Sequence, residues 1–198
     1  TVAQNITLND WLSYYLNRKE KKIYLSNNHN LMDYPKVSIL ILTYNNLTFN
    51  QLCLQSIYCN TTYPNFEIIV VDNASSDETP AWLKIYNKNH ENLKVIFNSE
   101  NIGFAAGNNQ VASEATGEYL IFLNNDTVVT EGWIEKLLSH MKNDPLLGLV
   151  GPVTNSTGNE ARITTSYKSP EEMELFASER SKKMAGINFD IRMLAMFC

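Results

Sequence analysis

Short apolar runs alternate with helix-length segments from residue 35 onward. The runs are nearly continuous and rich in β-branched residues, which is typical of strands buried on both faces of a sheet. Strands are predicted over residues 37–42, 66–71, 93–97, 119–123 and 147–153. Helices are predicted over residues 47–59, 77–89, 105–115, 131–141 and 170–183. This alternation predicts an α/β fold in which a mostly parallel sheet carries helices on both faces.

The two ends of the chain depart from this pattern. Apolar residues recur at helical spacing between Leu8 and Leu16, with Thr7 or Asn9 as the helix cap, and the polar stretch 26–30 has the composition of a linker. We therefore predict a helical appendage over residues 1–34 and a main domain over residues 35–198. Residues 154–168 are polar and predict a long loop, and 191–198 form an apolar, strand-like run, so we expect the chain to continue in a longer protein.

Size and charge narrow the class of protein. The 198 residues suffice for one sizeable core, and the net charge of −5 argues against a nucleic-acid partner. No apolar run reaches the roughly 18 residues that span a bilayer. Residues 18–22 form the densest basic cluster, which predicts a solvated helix face or, as the alternative, a peripheral contact with anionic lipids. Cys53 and Cys59 lie on different faces of one predicted helix, so we expect a reducing, cytoplasmic setting, with the inner face of the membrane as a second location.

The first four predicted strands all end in polar residues. Ligands of parallel α/β sheets bind beyond the carboxyl ends of the strands, so these residues are predicted to meet at one site. They are Thr43, Tyr44 and Asn45 after the first strand, Asp72 and Asn73 after the second, Asn101, Gly103, Phe104 and Asn108 after the third, and Asn124, Asn125 and Asp126 after the fourth. The chain has neither a dinucleotide-binding glycine motif nor a phosphate-binding P-loop, which argues against dehydrogenases and P-loop NTPases.

Three of these features suggest a chemistry, each with a structural alternative. The Asp72 carboxylate can accept from the imide N–H of uracil or thymine, or it can cap the following turn. Tyr44 can stack on a base, or it is simply a half-buried tyrosine at the end of a strand. The Asn124–Asp126 triplet can hold a metal ion or a phosphate, or it is an ordinary turn.

Residues 36–155 resemble the nucleotide-sugar-binding half of inverting GT-A-fold glycosyltransferases of family two. The resemblance is carried by four blocks in matching order and spacing, VSILILTYNN, EIIVVDNASSDET, NIGFAAGNNQ and GEYLIFLNNDT. The LNNDT block is similar to that of rhamnosyltransferase-like bacterial enzymes that extend surface polysaccharides. The resemblance implies transfer of a sugar, with inversion, from a UDP- or dTDP-sugar to a glycan or lipid-linked glycan.

The resemblance also implies roles for the polar residues. Thr43, Tyr44 and Asn45 would line the base, and Asp72 would accept from the pyrimidine imide. Asn73 and residues 101–108, with Gly103, Phe104 and Asn108, would shape the pocket for ribose and diphosphate. Asn124 would face the ribose or sugar, Asn125 would belong to the nucleotide-sugar-binding residues, and Asp126 would bind Mg²⁺ or Mn²⁺. Only one carboxylate stands where the family often has two or three, so strict dependence on the cation is left open.

The family's general base has no counterpart within the chain, so the resemblance implies that it lies beyond Cys198. Four acidic residues in the second half of the chain are interpreted as surface charges, namely Glu160, Glu171, Glu172 and Glu174. We therefore expect this chain to bind the donor but to catalyse poorly. The alternative is a non-catalytic nucleotide-sugar-binding or scaffolding module. Self-association into a homo-oligomer is expected if strand edges are exposed.

Overall fold

A computed structural model of the protein describes residues 6–21 and 34–194. Within these ranges the chain divides into two compact units. Residues 34–54 and 63–127 form what we call the sheet unit, and residues 6–21, 55–62 and 128–194 form the helical unit. The predicted division of the chain near residue 34 stays a prediction, because the linker stretch 26–30 lies outside the described residues.

The sheet unit contains four parallel strands, β1 (Val37–Thr43), β2 (Phe66–Asp72), β3 (Leu93–Phe97) and β4 (Tyr119–Phe122). They lie in the order β3-β2-β1-β4, which confirms the predicted α/β fold and four of the predicted strands. The pairing of β1 with β2 runs in register from Val37↔Phe66 to Thr43↔Asp72. The two central strands therefore end at the same level, and Thr43 and Asp72 lie side by side at the carboxyl edge.

Six α-helices occur among the described residues, and each matches a predicted helix. They are α1 (Leu8–Leu16), α2 (Leu47–Asn60), α3 (Thr79–Tyr86), α4 (Phe104–Ser113), α5 (Trp133–Asn143) and α6 (Pro170–Lys183), and a 3-10 turn (Asn87–Asn89) follows α3. α1 begins at a capping box, in which the Asp10 amide donates to Thr7 Oγ1 over 3.3 Å and the Thr7 amide donates to Asp10 Oδ2 over 2.7 Å. Thr7, one of the two predicted caps, is therefore the one used.

Alternate residues of the central strands are buried on opposite faces of the sheet. Leu40, Ile69 and Val71 pack with Val111 of α4, whereas Ile41 and Val70 face Leu54 of α2 and Leu83 of α3. α4 lies especially close to β1, since a Cβ added at Gly107 would be only 2.5 Å from Leu42 Cδ1. This close approach places the first turn of α4 at the carboxyl edge.

A half-buried carboxylate fixes the opposite, amino edge of the sheet. Glu67 accepts from Lys36 Nζ over 2.8 Å, from Ser38 Oγ over 2.6 Å and from the Thr116 amide over 2.8 Å. Burial raises the pKa of Glu67, but these hydrogen bonds outweigh it and lower that pKa to about 2. The cluster ties β1, β2 and the turn that leads into β4 together, so it sets the register in which β4 starts.

A second carboxylate cluster lies within the helical unit and corrects a prediction. Glu174 of α6 is not a surface charge, because its side chain is only 19% exposed. Its Oε1 accepts from Tyr15 over 2.9 Å, from Arg18 over 3.1 Å and from Asn60 over 2.8 Å. Burial, followed by the nearby Glu174 charge, raises the pKa of Tyr15, which keeps its hydroxyl protonated as a donor.

The basic cluster at residues 18–22 is partly neutralised within the same unit. Arg18 pairs with Glu174, and Lys21 forms an ion pair of 2.5 Å with Glu131. Lys22 lies outside the described residues. Contact of this cluster with anionic lipids therefore stays a prediction, with two of its cations already engaged by carboxylates. In residues 6–21 and 34–194, no helix has the length and apolar character that crossing a membrane requires.

The predicted fifth strand over residues 147–153 is wrong. This segment is irregular, and nearby only an isolated bridge joins Thr154 and Arg162 among the described residues. Leu149 is 77% exposed, so the run is not buried as a sheet strand would be. Two glycines and Pro152, which lacks an N–H, oppose strand formation there. Residues 191–194 of the strand-like run at the end are irregular too, and 195–198 lie outside the described residues.

Candidate functional site

The turn after β1 reverses the chain at the carboxyl edge of the sheet. Asn45 and Asn46 have φ angles of 58° and 63°, a left-handed conformation that asparagine tolerates better than most residues. The Asn45 amide donates to Ser75 Oγ over 2.6 Å, and Asn45 Oδ1 accepts from the Ser76 amide over 2.8 Å. Tyr44 is left 48% exposed at this edge. It is therefore available to a ligand rather than part of the core.

Asp72 ends β2 with one carboxylate oxygen engaged and one unpaired. The residue is only 2% exposed, and Oδ2 accepts from the Ser75 amide over a long 3.3 Å. Oδ1 is buried and has no hydrogen-bond partner among residues 6–21 and 34–194. The turn is held in a costly conformation, since Ala74 has a φ of 65°. Asp72 thus caps its turn weakly and leaves one buried acceptor unsatisfied among the described residues.

Asn73 connects the end of β2 to the loop after β3. Its Nδ2 donates to Asn101 Oδ1 over 2.8 Å, and its Oδ1 accepts from the Ile102 amide over 3.0 Å. Asn101 Oδ1 also accepts from the Gly103 amide over 2.9 Å. The side chains of Asn73 and Asn101 therefore bond within the chain and shape the loop.

The same loop leads directly into α4. Gly103 has a φ of 85°, and no side chain caps the first turn of the helix. Phe104 is 55% exposed at this position. Asn108, one turn later, donates from Nδ2 to Phe104 O over 2.9 Å and stabilises the helix start. The uncapped N–H groups of this turn are of the kind that accommodate anions.

The Asn124–Asp126 triplet does form a turn, because the Thr127 amide donates to Asn124 O over 3.2 Å. Asn125 turns its amide group into the protein, where Nδ2 donates to Asn50 Oδ1 over 2.8 Å and to Thr43 Oγ1 over 3.2 Å. Asp126 remains exposed. The turn interpretation is therefore correct for the backbone, and it leaves Asp126 available to a ligand.

Asn50 is central to this edge, although the sequence patterns did not identify it as a site residue. The residue is 3% exposed and accepts from Thr43 Oγ1 over 2.6 Å. Its Nδ2 donates to Asn45 O over 2.8 Å and to Thr79 Oγ1 over 3.2 Å. One signal could have found it, since Asn50 occupies the apolar stripe of α2 between Leu47 and Leu54. A polar residue in such a stripe needs buried partners.

Asp77 caps two helices at once. Its Oδ2 accepts from the Leu47 amide at the start of α2 over 3.2 Å, and its Oδ1 accepts from the Thr79 amide at the start of α3 over 3.0 Å. Burial raises the pKa of Asp77, but the hydrogen bonds from Thr79 and Leu47 outweigh it and lower that pKa. Asp77 therefore holds the starts of α2 and α3 together.

The predicted site residues thus meet at one edge of the sheet unit but fall into two groups. One group bonds within the chain and forms the wall of the site, namely Thr43, Asn45, Asn73, Asn101, Asn108 and Asn125. The other presents groups outward or keeps an unpaired acceptor, namely Tyr44, Asp72, Phe104 and Asp126. Gly103 and Asn124 complete the twelve predicted site residues. The roles of these twelve residues toward a nucleotide sugar stay predictions.

The described part of the chain contains no group of three His, Cys, Asp or Glu side chains that could hold a metal ion. Asp126 is the carboxylate that the triplet itself offers. Its oxygens suit a hard cation such as Mg²⁺ or Mn²⁺. The donor set therefore fits a cation whose remaining ligands come from a bound diphosphate and water.

A family model described as Glycosyl transferase family 2 matches residues 38–198. Among curated proteins, the chain is 36% identical to EpsH of Bacillus subtilis (strain 168), a proposed glycosyltransferase, over 54% of this chain and 30% of that protein. It is 28% identical to the glycosyltransferase AglE of Haloferax volcanii over 76% of this chain and 50% of that protein. It is 34% identical to the O-antigen biosynthesis protein RfbC of Myxococcus xanthus over 59% of this chain and 9% of that protein. The chain therefore spans half or less of the length of these relatives.

Among solved structures, the chain is similar to S. aureus TarS 1-349 in complex with UDP-GlcNAc. The identity is 26%, the alignment covers 55% of this chain and 31% of that one, and the TM-score is 0.49. It is also similar to the mannosyltransferase PcManGT from Pyrobaculum calidifontis in complex with GDP-Man and Mn²⁺. There the identity is 26%, the coverage is 58% of this chain and 33% of that one, and the TM-score is 0.44.

Proposed function

The chain belongs to glycosyl transferase family 2, and from this premise we propose that its sheet unit binds a UDP- or dTDP-sugar as the donor for transfer to a glycan. The acceptor would be a glycan or lipid-linked glycan of a bacterial surface polysaccharide, and the transfer would invert the anomeric centre. The name of RfbC, an O-antigen biosynthesis protein, supports this class of acceptor.

The observation that carries the proposal is the unpaired Oδ1 of Asp72, buried at the end of β2. Uracil and thymine both carry an imide N–H, which only an acceptor can satisfy. Leaving such an acceptor unpaired in the free protein costs about 1–3 kcal/mol, which a bound base would recover. Tyr44 follows Thr43, the register partner of Asp72, and its exposed ring offers a stacking face. Together they favour a base with a ring N–H, such as the pyrimidine imide, over adenine, whose ring nitrogens only accept.

The diphosphate would lie between the first turn of α4 and the Asn124–Asp126 turn. The uncapped N–H groups after Gly103 favour negative charge. Asp126 would hold Mg²⁺ or Mn²⁺, and a cation there stabilises the charge that develops on the leaving diphosphate. Because the triplet offers a single carboxylate, we expect weak cation binding in the absence of nucleotide.

We place the general base of the transfer outside residues 6–21 and 34–194. Glu174 is engaged by Tyr15, Arg18 and Asn60, so it is not available to deprotonate an acceptor hydroxyl. The chain also spans only 30% and 50% of the relatives EpsH and AglE, which leaves room for an acceptor-binding part. The isolated chain is then a donor-binding module.

Isothermal titration with UDP, with and without Mn²⁺, tests the donor site. We expect UDP to bind, Mn²⁺ to tighten the binding, and Asp126→Ala to remove most of that tightening. Asp190→Ala, which deletes another exposed carboxylate, is the matched control and should behave like the wild type. ADP should bind more weakly than UDP. No binding of UDP by the wild type would overturn the proposal, and equal Mn²⁺ enhancement in Asp126→Ala would overturn the cation assignment.

A second candidate function is a non-catalytic nucleotide-sugar-binding or scaffolding module. The single carboxylate of the triplet favours it, because less charge is available to hold a cation at the leaving group. The two functions share the donor site and differ in turnover. A longer protein that contains this chain would release UDP or dTDP from its donor in the first case and would only bind the donor in the second.

A further inference from the structure

We propose that Asn50 is a positioning residue of the donor site. Its carboxamide requires a hydrogen-bond donor at position 125, and through Asn125 it sets where the turn presents Asp126. This inference rests on the proposed donor-binding function and adds a residue that is buried and touches no ligand itself. It also explains why the triplet carries an amide rather than a carboxylate at position 125.

The orientation of the Asn50 carboxamide follows from its partners. Asn45 O is a backbone carbonyl and can only accept, so the group 2.8 Å away must be Nδ2. The second N–H of Nδ2 is directed to Thr79 Oγ1 at 3.2 Å. Oδ1 of Asn50 is therefore on the opposite side of the group. A flipped carboxamide would place Oδ1 against Asn45 O and remove the hydrogen bond that this carbonyl accepts from Asn50.

Oδ1 of Asn50 is an acceptor, so the groups that face it must be hydrogen-bond donors. It accepts from the Thr43 hydroxyl over 2.6 Å and from Asn125 Nδ2 over 2.8 Å. Asn125 Nδ2 also lies 3.2 Å from Thr43 Oγ1, whose own proton is already given to Asn50. Because these two oxygens are only 2.6 Å apart, one N–H of Asn125 is shared between them. Thr43 and Asn50 are 1% and 3% exposed, so no water replaces a lost partner at either residue.

A carboxylate at position 125 would face Asn50 Oδ1 with no proton between them, and it would compete with that oxygen for the single proton of the Thr43 hydroxyl. Such a buried contact is repulsive, and it would drive the side chain out of the wall and move the turn. The neighbouring Asp126 would move with it. The surrounding groups therefore require a hydrogen-bond donor at position 125. Adding a second carboxylate there should weaken cation binding instead of strengthening it.

Asn125→Asp tests the inference, because it keeps the size of the side chain and removes both donors. The measured quantity is the ratio of UDP dissociation constants without and with Mn²⁺, which does not depend on the fraction of folded protein. We expect this ratio to fall at least fivefold in Asn125→Asp and in Asn50→Ala relative to the wild type. A ratio that is unchanged or increased in Asn125→Asp would overturn the inference, since the new carboxylate would then be reaching the cation.

The matched control is Gln110→Ala, which breaks another amide pair of the sheet unit. Asn98 and Gln110 exchange two hydrogen bonds of 2.8 Å, and neither contacts Asn50 or Asn125. This variant should keep the Mn²⁺ ratio of the wild type. If it lowers the ratio as much as Asn125→Asp does, the effect is general loosening of the unit and the inference fails.

A double variant measures the coupling. Asn50→Ala combined with Asn125→Asp should lower the ratio by no more than the larger single effect, because both changes break the same contact. Effects that multiply would contradict the inference. If wild-type protein binds no UDP, the donor role fails together with the proposed function. If wild-type protein binds UDP and the two single variants keep its ratio, only the role of Asn50 fails.

Discussion

At the scale of single residues, the polar side chains at the carboxyl edge of the sheet have different roles. Asn73, Asn124 and Asn125 all follow the ends of strands. The amide groups of Asn73 and Asn125 are bonded within the chain. Among the described residues, Asp72 keeps an unpaired acceptor and Tyr44 keeps a half-exposed ring. We therefore expect ligand recognition to depend on a few residues that the other amides hold in place.

Asp72→Asn separates the two roles of this carboxylate. Whichever way the new amide points, one of the two acceptor positions becomes a donor. We expect UDP affinity to fall about 10-fold or more, since a hydrogen bond to a charged group contributes about 1.5–3 kcal/mol. The unfolding midpoint should fall little, because the bond to Ser75 is long at 3.3 Å and a buried charge is removed.

The measurement for Asp72→Asn is UDP titration together with thermal unfolding of the free protein. Tyr44→Phe is the companion variant, since it keeps the ring face and the Asp72 carboxylate and should keep the affinity. A large loss of stability in Asp72→Asn with unchanged UDP affinity would mean that Asp72 only caps its turn.

At the scale of elements, a charged cluster at the amino edge of the sheet sets how the strands that lead to the site are aligned. The Glu67 cluster joins β1 and β2 to the turn before β4, where Gly117 donates to Ser38 Oγ over 2.8 Å. A Cβ at Gly117 would come within 2.6 Å of the Ser38 nitrogen, so only glycine allows this approach. The register of β4 begins there, and the Asn124–Asp126 turn follows at its other end.

Glu67→Gln should destabilise the protein in a pH-dependent way. The pKa of Glu67 is lowered to about 2, from an ordinary value of 4.5, so the charged form stabilises the fold above about pH 4.5. That contribution is lost as the pH falls from 4.5 through about 2. We expect a difference of about 1–2 kcal/mol in unfolding free energy at neutral pH, after allowance for partial exposure.

Denaturant unfolding of wild type and Glu67→Gln between pH 7 and pH 2 measures this difference. Glu91→Gln removes an exposed carboxyl of the same unit and serves as the control, with a difference near zero throughout. A Glu67→Gln difference that stays constant down to pH 2 would contradict the assignment, because only the ionised side chain receives these hydrogen bonds in full.

At the scale of the whole molecule, the sheet unit holds the candidate donor site, and all twelve predicted site residues lie in it. The chain spans 30% of EpsH and 50% of AglE, and we have proposed that the general base lies outside the described residues. Donor binding and sugar transfer are therefore expected to be separable.

Turnover is the measurement at this scale. We expect residues 1–198 with Mn²⁺ to release no more UDP or dTDP from nucleotide sugars than buffer alone, while still binding UDP. A longer protein containing them should release it when an acceptor is present, and Asp126→Ala should lower that rate. Turnover by the 198 residues alone would place the base within the chain and direct attention to Glu160, Glu171 and Glu172.

The sequence by itself determined the elements and their order along the chain. Periodicity depends on neighbouring residues, so four strands and six helices could be predicted correctly. Parallel strands bring their carboxyl ends to one edge, so the meeting of Tyr44, Asp72 and Asp126 there could be predicted as well. The four blocks also identified the family before any contact was known.

Only the tertiary structure decided which way each side chain is used. The order β3-β2-β1-β4 is set by pairing between distant segments, and the apolar run 147–153 does not join the sheet. The roles of Asn50 and Asn125 as wall residues, the unpaired oxygen of Asp72 and the burial of Glu174 all follow from partners far away in sequence. Local patterns report whether a position is polar, whereas the direction of its hydrogen bonds depends on what the fold places opposite.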